Sequence, residues 1–194
     1  SATVVGWPSG ASHDVGGSPY GTARTATFMG KRIFEAHTGS RRKYASEIRP
    51  DEIDAVANSV LPARMTGAEF LQRFSGVDDP LSDIAASTVY PVGSGLSFPI
   101  MENARCERAL ELVASATGAD TENALREIGR LLVESHAGYS EIGLGHKQTD
   151  VIVDALLDAG PENGIYGGRV SGGGSGGTVV VLLRKDAIPL LEAI

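Results

Sequence analysis

The stretch with the clearest chemical potential is Gly164-Ile165-Tyr166-Gly167-Gly168-Arg169-Val170-Ser171-Gly172-Gly173-Gly174-Ser175-Gly176-Gly177-Thr178, which runs into Val179-Val180-Val181-Leu182-Leu183. It holds eight of the chain's 25 glycines. Consecutive backbone N–H groups in such a loop can converge on an anion, because no Cβ blocks the approach and glycine reaches positive φ at little cost. The β-branched and aliphatic run that follows predicts a strand, so the pattern is strand, glycine loop, strand. A flexible linker and tight strand-to-strand packing are the competing readings. Gly172-Gly173-Gly174-Ser175-Gly176-Gly177 satisfies G-x-G-x-x-G, but a dinucleotide fingerprint must open a helix, and here a strand follows. A Walker loop is excluded because no Gly-Lys-Ser/Thr follows the glycines.

The bulk numbers narrow the remaining chemistry. The 194 residues are long enough for one large domain or one and a half small ones. A net charge of -7 argues against a nucleic-acid or anionic-membrane surface, and 42% hydrophobic content is ordinary for a globular protein. Cys106 is the lone cysteine, which excludes a disulfide framework or a cysteine metal cluster and suits a cytoplasmic location. His13, His37, His136 and His146 lack metal-ligand spacing, so no metal site is expected. No signal peptide and no membrane-length apolar run is visible. Ser1-Ala2-Thr3-Val4-Val5 enters as a strand with no initiator Met, and the expectation is a piece of a longer chain with Ser1 a cloning scar.

The elements that must position the glycine loop are mostly helices. Thr3–Val5 reads as a short strand. Met29, Ile33 and Ala36 recur at helical spacing from about Thr22 to His37, where Gly30 costs about 1 kcal/mol relative to Ala and marks a close helix crossing. Arg41-Arg42-Lys43 reads as a solvated loop. Pro50-Asp51-Glu52 opens a helix with Ile53, Val56 and Val60 on its apolar face, and Thr66 to Glu69 has capping-box spacing. Thr88–Val92 reads as an edge strand. A long helix is expected near Ile100, with Cys106, Ala109, Leu110 and Val113 as a buried stripe and the cysteine a packing residue. Gly118 ends it and Asp120 caps the next helix, with the stripe Leu125, Ile128 and Leu132, so that the two form an antiparallel pair. A third helix buries Ile152, Val153, Leu156 and Leu157 and stops at Gly160-Pro161. Helices together with strands joined by a glycine hairpin predict an α+β fold, a small antiparallel sheet covered on one face by helices.

Several blocks carry a family resemblance. Arg169 to Val179 resembles the third, C-terminal motif of the GHMP superfamily of small-molecule kinases, in its galactokinase and arabinokinase branch. Glu134-Ser135-His136 resembles the family's Ser-His element. Gly143-Leu144-Gly145, with Thr149-Asp150 following, resembles the arabinokinase form of the next loop. Pro99 to Arg105 resembles the family's Glu-Asn-x-Arg helix start. His13 to Arg24 resembles the segment that crosses from the N-terminal to the C-terminal domain.

The resemblance implies that 1–194 is the family's ferredoxin-like C-terminal domain, with 1–22 the crossing segment from an N-terminal domain that is a partner in function. It implies a sugar kinase that moves the γ-phosphoryl group of ATP, with Mg²⁺, to the anomeric hydroxyl of arabinose or galactose. Gly143-Leu144-Gly145 tilts the choice slightly toward arabinose. In this reading Tyr20 hydrogen-bonds a sugar hydroxyl, and Gly172, Gly173 and Gly174 let the backbone close over the substrate and phosphate side. Packing alone remains the alternative for Tyr20. The family's Pro-x-x-x-Gly-Leu-x-Ser-Ser phosphate loop and catalytic aspartate precede the crossing segment and match nothing here, so no catalytic residue is assigned and the isolated chain is expected to be inactive. Pro91 to Ser97 fits that loop in part, but fails on order and because Phe98-Pro99 replaces the second serine and removes an N–H donor. A catalytically dead sugar sensor and an anion-binding or dimerisation module are the other readings.

Overall fold

The computed structural model describes residues 1–11, 18–57, 59–118 and 120–193, so His13 to Gly17 of the crossing block lie outside the described residues. The elements run β1 (Ala2–Pro8), α1 (Ser18–Thr38), α2 (Pro50–Ala57), β2 (Met65–Thr66), α3 (Gly67–Arg73), β3 (Val89–Tyr90), α4 (Val92–Ser115), α5 (Asp120–Glu141), α6 (Lys147–Ala159), β4 (Ile165–Val170), β5 (Thr178–Arg184) and α7 (Ile188–Leu191). They fall into two compact units, Ser1–Val15 with Arg105–Ile194, and Gly16–Ala104. Among the described residues no helix is long and apolar enough to cross a membrane.

The first unit is the expected small antiparallel sheet with helices packed on it. Its strand order is β1-β5-β4, with Val5 opposite Val181 and Arg169 opposite Val180. The period of two decides which side is buried. Val179, Val181 and Leu183 of β5 turn toward Val153 and Leu156 of α6 and Leu191 of α7, with Val5 and Trp7 packed beside them. Val4, next to Val5 in sequence and so on the opposite side of the strand, is 64% exposed. Central β5 is therefore the most apolar strand, and β4 is an edge.

That edge is covered by α5, and the contact is closer than ordinary side chains allow. A Cβ on Gly129 would overlap the Tyr166 carbonyl oxygen, and one on Gly167 would lie 2.6 Å from the Gly129 oxygen. The buried face of α5 is Ala124, Gly129, Leu131, Ser135, His136 and Tyr139. The expected stripe of Leu125, Ile128 and Leu132 is only half-buried. The physical reason is that an edge strand presents unpaired N–H and C=O groups, which a polar and small helix face can approach and satisfy and a leucine stripe cannot.

In the second unit α1 and α4 cross closely. A Cβ on Gly30 would lie 2.6 Å from Leu96 Cβ, and one on Gly95 would lie 2.8 Å from Ala26 Cβ, so the crossing expected at Gly30 is present. Met29, Ile33 and Phe34 of α1 and Val92, Leu96 and Ile100 of α4 fill the core around it. Pro99 lies inside α4 and cannot donate to the carbonyl four residues back, that of Gly95. The Thr27 hydroxyl donates to that oxygen instead, at 2.8 Å. The Thr66 hydroxyl accepts from the Glu69 backbone while the Glu69 carboxylate accepts from the Thr66 backbone, the capping box read from the sequence.

Several sequence expectations are corrected. The long helix begins at Val92 rather than near Ile100, so Val92 to Ser97 is helical, and Glu102 to Arg105 lies within the helix rather than at its start. Cys106 is exposed, and Leu110 and Val113 of the same stripe are 70% and 66% exposed. The antiparallel pairing expected to cover them gives way to the docking of α5 on β4, and a groove lined by Leu112, Ser115, Asn123 and Ala124 lies between α4 and α5. Leu157 is likewise exposed, at 51%. In the basic run Arg42 is tied down: its guanidinium meets Glu52 at 2.7 Å and its backbone N–H donates to Glu35 at 2.9 Å.

Gly129→Ala tests the close approach of α5 to β4. Helix propensity alone would make this substitution stabilising by about 1 kcal/mol. Overlap with the Tyr166 backbone outweighs it, and a net loss of about 2–3 kcal/mol in denaturant unfolding is expected.

Candidate functional site

The glycine loop joins β4 to β5 as a hairpin and is held at several points. Ser171 N–H donates to the Thr178 carbonyl at 2.8 Å, closing the base. Ser9 N–H, just beyond β1, donates to the Gly177 carbonyl at 2.8 Å. Ser175 N–H donates to the Leu144 carbonyl at 2.6 Å, which brings two of the blocks singled out in the sequence into contact. Gly172, Gly174, Gly176 and Gly177 all have positive φ, and Ser175 joins them at 60°, the one non-glycine with positive φ among the described residues. A run of left-handed residues of this kind is open mainly to glycine, which is why the loop has this composition.

The three glycines named from the sequence have different surroundings. Gly172 is exposed, with nothing within 4 Å of where a Cβ would stand. Gly173 is half-buried. Gly174 is buried: a Cβ there would lie 2.5 Å from the Leu144 oxygen and 2.8 Å from the Tyr139 ring. Close packing thus explains Gly174, and open space above the backbone singles out Gly172.

Beneath the loop lies a polar clamp. Tyr139 donates its hydroxyl hydrogen to the Gly172 carbonyl at 2.8 Å and accepts from Arg169 at 3.3 Å. Arg169 also donates to the Ser135 hydroxyl at 2.7 Å, and its guanidinium lies 5.3 Å from the Tyr139 ring centroid. His136 accepts the Val170 N–H on Nδ1 at 3.2 Å and meets Asp150 of α6 through Nε2 at 3.1 Å. Burial pushes the His136 pKa below the ordinary imidazole value, against the opposing pull of Asp150 and Asp154. The Ser-His block was visible in the sequence; Tyr139, Arg169 and Asp150 as its partners were not. The available signal was the i, i+4 spacing of Ser135 and Tyr139, which places both on one helix face.

Tyr20 belongs to the other unit, on the first turns of α1, and is 42% exposed. One turn later Arg24 interacts with the Tyr20 side chain and forms a two-pronged pair with Asp79, at 2.8 and 2.7 Å. Ser82 donates to the same carboxylate at 2.6 Å. These donors hold the buried Asp79 carboxyl at about 2, below the usual carboxylate range. Among the described residues no group of three or more His, Cys, Asp or Glu side chains could hold a metal ion.

Two measurements check this geometry. Gly174→Ala is expected to lose about 3 kcal/mol from overlap and a left-handed Cβ, whereas Gly172→Ala loses about 1 kcal/mol from φ alone; equal losses in denaturant unfolding would contradict the split. The Asp79 pKa is depressed on folding, so its contribution is present above 3.8 and is lost as pH falls toward about 2. Asp79→Asn is expected to remove on the order of 2 kcal/mol at pH 7 and to flatten that acid limb.

Comparison with known proteins finds this arrangement elsewhere. Residues 109–194 match the family model described as GHMP kinases C terminal. The chain is 28% identical to L-arabinokinase of Arabidopsis thaliana over 216 aligned residues, covering 93% of this chain and 20% of that protein. It is 43% identical to galactokinase of Thermotoga neapolitana over 87 residues, covering 44% of this chain and 23% of that protein. The chain therefore spans about a fifth of the length of these relatives. The crystal structure of Lactococcus lactis galactokinase complexed with galactose superposes with a TM-score of 0.65 at 16% identity, over 99% of this chain and 40% of that one, a likeness of fold. The similarity thus falls on residues 109–194, which carry the Ser-His block, the Leu144 loop and the glycine hairpin and match the GHMP kinase C-terminal model, and the chain is similar to L-arabinokinase and galactokinase.

Proposed function

We propose that this chain is the C-terminal part of a sugar kinase that transfers the γ-phosphoryl group of ATP to the anomeric hydroxyl of a monosaccharide, arabinose or galactose, and that the chain alone is inactive. The observation that carries the reading is the similarity to L-arabinokinase, which extends over 93% of the chain rather than over the glycine hairpin alone. In this reading 1–194 serves as a C-terminal domain, residues 1–22 are its crossing segment, and an N-terminal domain supplies the phosphate loop and the catalytic aspartate. The chemistry and the acidic, single-cysteine composition suit the cytoplasm and call for neither nucleic acid nor membrane.

Phosphoryl transfer leaves a protein mainly with positioning and charge neutralisation. ATP supplies the phosphoryl group, and Gly172 and Gly173 are the residues of this chain that would hold its phosphate side. Support for this comes from Gly172, whose backbone is exposed with open space above it, while Tyr139 and Leu144 pin the loop from beneath. Mg²⁺ would neutralise phosphate charge and, like ATP, is expected to bind only with the N-terminal domain present. Tyr20 offers a half-exposed phenol to a sugar hydroxyl, and Arg24, anchored by buried Asp79, holds it in place.

The test is ADP release by the full-length protein carrying this chain, with ATP and Mg²⁺, on arabinose and galactose separately. Turnover on one sugar is expected. Tyr20→Phe is expected to raise KM for that sugar roughly fivefold, the worth of about 1 kcal/mol for one hydrogen bond. No turnover on either sugar would favour a non-catalytic sensor, and phosphorylation by the isolated chain would overturn its proposed inactivity.

A further inference from the structure

The glycine loop depends on a histidine that no phosphoryl-transfer step uses. His136 is 6% exposed on the buried face of α5, and its two ring nitrogens have opposite duties. Nδ1 accepts the N–H of Val170, the last residue of β4, whose outer edge has no strand neighbour among the described residues. Nε2 faces the Asp150 carboxylate, which accepts only from an N–H. The geometry therefore selects the neutral ring with its hydrogen on Nε2. Val170 is followed directly by Ser171, whose N–H closes the hairpin, and Arg169 just before it carries the Ser135 and Tyr139 contacts that hold Gly172.

We propose that His136 is a positioning residue for the glycine loop: its neutral Nδ1 latches the free edge of β4 at Val170, and protonation at Nδ1 opens the latch and loosens the loop. A second hydrogen on the ring turns Nδ1 from acceptor to donor, so two N–H groups then face each other across 3.2 Å. The charged groups that face His136 are Asp150 and Asp154 from α6 and Arg169 from β4. The two carboxylates favour the charged ring, while Arg169 and burial oppose it, and burial has the largest effect. The latch is thus closed above the ordinary imidazole value of 6.5 and opens as pH falls below it. The inference concerns the same loop as the kinase reading but does not require it, because its test reads the loop and not turnover.

The experiment is amide hydrogen exchange, followed by NMR on this chain from pH 8 to 5 and corrected for intrinsic rates. The opening constants of Val170 and Ser171 and of Gly172 to Gly177 are expected to rise about tenfold per pH unit below 6.5, the slope for one proton, while Val181 in central β5 stays protected. His136→Gln keeps an acceptor toward Val170 and a donor toward Asp150 but cannot be protonated, so its loop exchange is expected to be flat with pH. A wild-type loop whose opening constant does not change with pH, or a His136→Gln loop with the same slope as wild type, overturns the proposal. If the variant does not fold, the wild-type His136 ring resonances decide: a latch that needs the neutral ring makes them titrate below 6.5, and a midpoint at or above 6.5 overturns it.

Discussion

The approach of α5 to the edge of β4 is the contact on which the rest of the first unit depends. With Gly129 seated on the Tyr166 backbone, the helix axis comes close enough for side chains about two and three turns later to reach the strand directly. His136 then pairs with the Val170 N–H, Ser135 takes Arg169, and Tyr139 reaches past the strand to the Gly172 carbonyl. A larger residue at position 129 would lift the helix and put all three out of range together. The C-terminal half of the buried face of α5 is for this reason polar, with Ser135, His136 and Tyr139 inside, while Arg130 and Glu134 face solvent.

A similar economy of side-chain volume operates in the second unit. Gly30 on α1 meets Leu96 on α4, and Gly95 on α4 meets Ala26 on α1, so each helix offers a glycine where the other comes closest. The close crossing lets Thr27 reach the Gly95 carbonyl that Pro99 leaves without a donor. Asp79 is buried by the same compactness, and its full charge is retained only because Arg24 and Ser82 both donate to it. Removing one partner would leave a buried charge uncompensated, so the Tyr20 end of α1 is held by a pair that is strong as a unit and costly to break.

The glycine hairpin combines two physical demands. One is steric: Gly174 must lack a side chain because Leu144 and Tyr139 occupy the space. The other is conformational: a succession of left-handed residues turns the chain sharply enough to return as β5, leaving the Gly172 backbone facing outward. Ser175 adopts the same left-handed region without being glycine, and its N–H bond to Leu144 helps hold it there.

By itself the sequence determined what depends on local spacing. The glycine hairpin, the apolar alternation of β5, the capping box at Thr66 and the crossing at Gly30 follow from residue periodicity and backbone freedom, which act over a few residues. The resemblance of the ordered blocks was also legible, because order along the chain is a sequence property. Tertiary structure alone decided which face of α4 and of α5 is buried. Cys106, Leu110 and Val113 have helical spacing yet face solvent, and Ser135, His136 and Tyr139 are polar yet lie inside. Periodicity reports that a helix has an apolar stripe, not whether an unsatisfied strand edge elsewhere offers its polar groups a better partner. The partnership of His136 with Val170 and Asp150, 34 and 14 residues away, is set by that long-range choice.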